Sequence, residues 1–230
     1  MMVLAAVPGS AAVMAGCSAP AAATPPPVSG SCGGIRPGAL MTSPAGCTMN
    51  FVFTSDGTDR YIGTAAHCVS FVGQSVALSG ITGSIGTVAF SGWAATPNHD
   101  FALVRVSSSR LSQVNPAMCH WGGPVSLAAG YQDEPVLLEH YGHGIGAGSL
   151  AQTKARRGVG TAWNDEAFFM ATAGTFGDSG SPVMSIDGKA LGVLVTIGPF
   201  GNTSTRLDVA VADASAKMGI PLTLLTAPLA

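Results

Sequence analysis

Three short segments constrain this 230-residue chain more than all the rest: Thr64-Ala65-Ala66-His67-Cys68, then Asn98-His99-Asp100-Phe101-Ala102-Leu103, then Gly177-Asp178-Ser179-Gly180-Ser181-Pro182. In that order they supply a base, a carboxylate and a hydroxyl. A serine hydroxyl is a poor nucleophile near neutral pH. Acyl transfer through it needs a base within hydrogen-bond reach and an acidic group that fixes the tautomer of that base. Each segment alone has a plainer reading. Gly-Asp-Ser-Gly is made entirely of turn formers, His67 could be a core histidine, and Asp100 could end a strand and pair with Arg105. The match of all three in type and order decides for chemistry.

The segments resemble those of the chymotrypsin-like serine proteases, the trypsin-fold family, in their bacterial secreted or lipoprotein form. The resemblance runs from Cys32 over most of the chain. It implies an all-β fold of two six-stranded antiparallel Greek-key barrels packed face to face, with the active site in the cleft between them and a short C-terminal helix. The implied activity is serine endopeptidase, through an acyl-enzyme. By the same resemblance His67 is the general base, Asp100 orients it, Ser179 attacks the scissile carbonyl, and the amides of Gly177 and Ser179 form the oxyanion hole.

The resemblance also bears on the cysteines. The family characteristically staples the loop before the base, which implies a Cys47–Cys68 disulfide, worth about 3 kcal/mol for a loop of that size. A Cys32–Cys119 bond resembles the tether of the N-terminal segment in some animal members. Reduced pairs are the alternative, which export disfavours.

For the substrate pocket, the resemblance implies walls of Ala173, Gly174, Thr175 and Phe176 and of Thr196, Ile197 and Gly198. Ala173 falls where trypsin carries its pocket aspartate, which argues for a small or apolar P1 residue rather than a basic one. Val195-Thr196-Ile197 offers no histidine for glutamate. Animal members are activated by cleavage before Ile-Val-Gly-Gly, whose new ammonium pairs with the aspartate preceding the nucleophile. That motif is absent upstream of Cys47, so Asp178 is expected to pair with an internal cation, Arg156 or Arg157.

The fifth cysteine has another context. Residues 1–16 are almost wholly apolar or small, and Met14-Ala15-Gly16-Cys17 resembles a bacterial lipobox, making Cys17 a lipidation candidate and a possible point of membrane attachment. Lys and Arg are missing before Arg36, unlike the usual leader. Ordinary secretion with cleavage after residues 21–23, or a disordered Ala-rich tail, are the alternatives. Export to the bacterial envelope or the medium is the expectation. No later stretch is apolar enough for a spanning helix.

Composition agrees with an exported β-rich enzyme. With 31 Gly, 15 Pro and 10% charged residues, the chain reads as short strands joined by tight turns. A formal charge of -2 without a basic stripe argues against nucleic-acid binding. Phosphate loops and EF-hands are absent, and His99, His120, His140 and His143 fit no zinc spacing with the cysteines, so neither cofactor nor metal is expected. A monomer acting on protein or peptide substrate is expected.

The chain divides into a leader and Ala/Pro linker at 1–31, a first barrel with His67 and Asp100 at 32–120, and a second with Ser179 at 121–230. Predicted strands lie at 48–54, 60–64, 75–78, 86–90 and 101–107. A crossing segment at 113–124 leads to strands at 136–141, 159–163, 168–172, 182–186, 190–196 and 206–211, with a helix at 211–218. Asn202-Thr203-Ser204 matches a glycosylation sequon but reads as a plain turn. Another function class is a catalytically silent surface module on the same fold, against which the intact His, Asp and Ser argue. An α/β-hydrolase fits poorly, because its triad runs Ser, acid, His.

Overall fold

The computed structural model describes residues 33–94, 99–144 and 154–230. Seven strands come first: β1 (Leu40–Ser43), β2 (Cys47–Thr48), β3 (Val52–Thr54), β4 (Tyr61–Thr64), β5 (Ser75–Leu78), β6 (Ser84–Ser91) and β7 (Ala102–Val106). Then come β8 (Ser126–Leu127), β9 (Val136–Tyr141), β10 (Ala155–Thr161), β11 (Ala167–Ala171), β12 (Pro182–Ser185), β13 (Lys189–Gly198) and β14 (Gly201–Arg206), followed by helix α1 (Leu207–Met218) and β15 (Thr223–Leu224).

The first sheet has the order β15-β3-β4-β7-β6-β5-β1-β2. β2 and β3 are two ends of one extended run, pairing with β1 and β4 respectively, so this run links the two sides of the sheet and curls it. Between them Met49 donates its N–H to Ala39 O (2.9 Å) and Asn50 to Gly63 O (2.7 Å). In the second sheet, β12-β9-β10-β11-β14-β13 closes into a six-stranded barrel through the β12–β13 pair, and β8 adds a short parallel strand to β13.

Apolar side chains explain the layering. β4 is buried at every position, and Val52, Ile62, Val76, Val88 and Val104 fill the first unit. Leu138, Phe168, Met170, Val183 and Leu194 fill the second. A third cluster joins Phe51, Phe53, Phe101 and Leu103 to Val193, Leu207, Ala210 and Ala214, so the two units and α1 share one core. Its rings pack edge to face, as Phe53 and Phe101 do at 6.2 Å.

Three local expectations are corrected. The strand expected at 206–211 is the start of α1, whose buried Leu207, Ala210, Val211 and Ala214 follow helical spacing. Gly201–Arg206 is a strand rather than a turn, and Asn202 within it is 2% exposed. A buried strand asparagine is no glycan acceptor. β1, with two exposed residues beside Pro44, was not anticipated.

The Cys47–Cys68 disulfide is formed, across 21 positions. Removing it in a Cys47→Ser/Cys68→Ser double variant is expected to lower unfolding free energy by about 3 kcal/mol through loop-closure entropy. Denaturant titration checks this, and a loss below about 1 kcal/mol would contradict it. Cys119 is buried, while Cys32 and Cys17 lie outside the described residues. Among the described residues, no helix is long and apolar enough to cross a membrane.

Candidate active site

Strand register brings His67 and Asp100 together. β4 and β7 are antiparallel, with Thr64 opposite Ala102, so the residues after β4 and before β7 emerge at the same end. His67 sits there in the 3-10 turn Ala66–Cys68. Its backbone N–H donates to Asp100 Oδ1 (2.9 Å) and its Nδ1 to Oδ2 (2.7 Å). An ionised carboxylate only accepts, so this geometry places the ring proton on Nδ1 and leaves Nε2 as an acceptor. The His67 side chain is 31% exposed and that of Asp100 19%. The Trp93 ring packs edge-on to His67 at 6.5 Å.

Ser179 is half-buried in the turn between Thr175 and β12. Gly180, with φ +87°, lets this turn lie on the first sheet. A Cβ there would come within 2.2 Å of Thr48 O and 2.5 Å of Thr64 Oγ1. Ser179 O accepts from Thr48 N–H at 2.8 Å and lies 4.0 Å from the sulfur of Cys68, the neighbour of His67. Gly180 N–H donates to Leu194 O, which ties the turn to β13. Among the described residues, the amides of Gly177 and Ser179 donate to no protein acceptor.

Asp178 is wholly buried and held four times. Arg156 Nη1 bonds Oδ2, Arg156 Nη2 donates to Oδ1 (3.1 Å), and the amides of Gly144 and Thr175 donate to Oδ1 and Oδ2, each at 2.8 Å. Of the two candidate arginines, Arg156 is therefore the partner. Alternation along β10 turns Arg157 outward, 68% exposed, toward Glu139 at 3.4 Å and the Trp121 ring at 4.7 Å. Any Cβ at Gly142 or Gly144 would reach within 2.3 or 2.5 Å of Asp178, which leaves no room for another side chain.

The expected pocket segments lie on two neighbouring elements. Ala173, Gly174, Thr175 and Phe176 precede the Ser179 turn, and Phe176 is 82% exposed. Thr196, Ile197 and Gly198 end β13. Asn202, not singled out as a site residue, links them: it pairs with Ile197 and donates Nδ2–H to Thr172 O at 2.8 Å. Gly174 packs directly on its amide.

Two further histidines surround Asp178. His143 Nε2 bonds Gly38 O (2.8 Å) and its Nδ1 faces Lys154 Nζ (2.9 Å). Burial and then Lys154 hold its pKa below the ordinary value. His140 is fully buried, with Nε2 3.1 Å from Thr172 Oγ1. Burial, then the Arg156 charge, lowers its pKa from 6.5 to about 4. As pH falls through that window only the unfolded chain takes up this proton, so stability drops by up to about 3 kcal/mol. His140→Gln is expected to flatten this slope when unfolding is compared near pH 7 and pH 4.5. An unchanged slope would remove His140 as its source.

Metal-ligating atoms come together at Cys47, His67 and Cys68, within 4.8 Å. Both sulfurs are in the disulfide and supply no thiolate there.

The fold is similar to several solved bacterial structures. Thermobifida fusca Protease A shares 20% identity over 83% of this chain and 99% of that chain, with a TM-score of 0.57. Nocardiopsis protease shares 20% over 82% and 98%, with a TM-score of 0.57. Cellulomonas bogoriensis chymotrypsin shares 20% over 84% and 98%, with a TM-score of 0.53. No curated protein sequence matches the chain significantly. Residues 48–193, more than half of the chain, match the trypsin-like peptidase domain, and the chain belongs to that peptidase family.

Proposed function

We propose that the chain is a serine endopeptidase working through Ser179, His67 and Asp100. The observation that carries this reading is the His67 Nδ1–H bond to Asp100, which leaves Nε2 as an acceptor on a residue whose neighbour Cys68 lies, by its sulfur, 4.0 Å from Ser179 O. Nε2 takes the Ser179 proton as Oγ attacks the substrate carbonyl. The developing oxyanion accepts from the Gly177 and Ser179 amides, which have no protein acceptor of their own among the described residues. The imidazolium then protonates the leaving amine. Water, activated by the same ring, releases the acyl group.

The Arg156–Asp178 pair supplies from within the chain the cation that animal relatives obtain by cleavage, so activity follows folding without a cut. Ala173 and Gly174 lack charge, and we assign a small or apolar P1 preference to the pocket. Formation of Cys47–Cys68 supports a site of action outside the reducing cytoplasm. Attachment through lipidated Cys17 and a monomeric state complete the proposal.

The test is labelling of the full chain by a fluorophosphonate, with Ser179→Ala and His67→Ala as controls and a peptide library read by mass spectrometry. Labelling that both variants lose is expected. A folded chain that takes no label and cuts no peptide would instead be a silent binding module.

A further inference from the structure

Thr48 is fully buried beside Cys47, at the end of β2. Its backbone N–H donates to Ser179 O (2.8 Å), and its carbonyl accepts from Thr64 Oγ1 (3.0 Å) on the strand leading to His67. The side chain does something different. Its hydroxyl donates to Gly177 O (2.9 Å) and the same oxygen accepts from His143 N–H (3.0 Å). The next amide, Gly144 N–H, is one of those holding Asp178. One hydroxyl therefore joins the disulfide-bearing run, the Ser179 turn and the segment that supports Asp178.

Gly177 needs such a hold. It has φ +102°, and a Cβ on it would lie 2.7 Å from His143 O, so no other residue fits and nothing in its own side chain limits its rotation. That carbonyl shares its peptide plane with the Asp178 N–H, which donates to Thr175 O (3.0 Å), so Thr48 and Thr175 together hold one of the two planes hinged at Gly177 and restrict how its own amide can turn. Valine has nearly the shape of threonine but neither donor nor acceptor, and would leave two partly buried backbone groups without this partner. Serine keeps both functions.

We propose, on the serine-peptidase reading above, that the Thr48 hydroxyl is a positioning residue of the oxyanion hole, acting through Gly177. It touches no reacting atom. Its contribution is realised as negative charge builds on the substrate oxygen, so its loss lowers kcat rather than substrate affinity.

The test compares the full chain with Thr48→Val, Thr48→Ala and Thr48→Ser on a chromogenic peptide amide, alongside inhibition by a peptide aldehyde that forms a tetrahedral adduct. Thr48→Val is expected to lose about 10- to 100-fold in kcat with KM within about threefold, and aldehyde affinity is expected to weaken in step. Thr48→Ser stays within about threefold of wild type. Should valine prevent folding, Thr48→Ala carries the same expectation, and unfolding of both makes the hydroxyl a folding element and overturns the proposal. So does a Thr48→Val enzyme with kcat within about twofold of wild type, a serine variant as impaired as valine, or lost kcat with unchanged aldehyde affinity. A wild-type chain that neither cuts peptide nor takes fluorophosphonate overturns the parent reading as well. An active wild type with an unaffected valine variant overturns this inference alone.

Discussion

On the proposed mechanism, Ser179→Ala is expected to lower kcat on a peptide amide by about a millionfold, the cost of removing the nucleophile in triads that have been dissected residue by residue. The chain stays folded, because what ties the turn to its neighbours is backbone: Ser179 O to Thr48 N–H, and Gly180 N–H to Leu194 O. A similar effect is expected of His67→Ala, with the double variant scarcely worse than either if the two groups act as the proposed unit. Asp100→Asn costs about ten-thousandfold, because an amide in place of Oδ2 favours the other ring tautomer and takes Nε2 away as acceptor. Steady-state kinetics with matched thermal unfolding checks all of these. Activity in Ser179→Ala within tenfold of wild type would transfer the chemistry to another group.

Arg156→Met unfolds or nearly unfolds the second barrel and abolishes activity. Asp178 is wholly buried, and without the guanidinium its carboxylate keeps only the Gly144 and Thr175 amides. Breaking a buried ion pair from one side costs about 3–5 kcal/mol. Because Asp178 lies between Gly177 and Ser179, any fragment that still folds carries a displaced Ser179 turn. Arg157→Ala is the contrast. Its side chain is mostly in solvent, but it meets the buried Glu139 at 3.4 Å and the Trp121 ring at 4.7 Å, so the expected loss is about 1–2 kcal/mol, smaller than for Arg156, with activity retained. Urea unfolding and peptide hydrolysis of both variants decide. A stable, active Arg156→Met would show that the amides alone suffice to hold Asp178.

The meeting of the His67 and Asp100 segments was legible in the sequence, because the resemblance rests on residue types, and the structure bonds the two side chains. The same holds for the need of Asp178 for a cation. Choosing Arg156 over Arg157 needed the phase of β10, which only pairing with β9 and β11 sets. β4, β7 and β9 were legible as apolar runs. β14 was not, since Gly201-Asn202-Thr203-Ser204 has the composition of a turn and becomes a strand by pairing with β11 and β13. The start of α1 was equally hidden. Arg206 provides no side-chain cap, and Leu-Asp-Val-Ala-Val suits either period. Its end was legible, as Gly219 takes the left-handed conformation that stops helices. Nothing local to Cys47-Thr48-Met49 signals a junction of three segments. That role arises only when distant loops converge.

β15 sets an order of events. Thr223 and Leu224 pair with Thr54 and Phe53 on the outer side of β3, while Leu229 bridges to Gly122 in the crossing segment. A nascent chain thus displays β3 as an open hydrogen-bonding edge, bearing Phe53, until residues near 224 have been made. The first sheet, although synthesised early, acquires its covering strand late. The bonds that draw this strand in join Thr54 to Thr223, a long-range pairing of the kind that slows folding. During that interval the chain is vulnerable to pairing with other strands. Strand β15 therefore acts as a latch on the first sheet, whose outer edge is covered only when segments from both ends of the domain have come together.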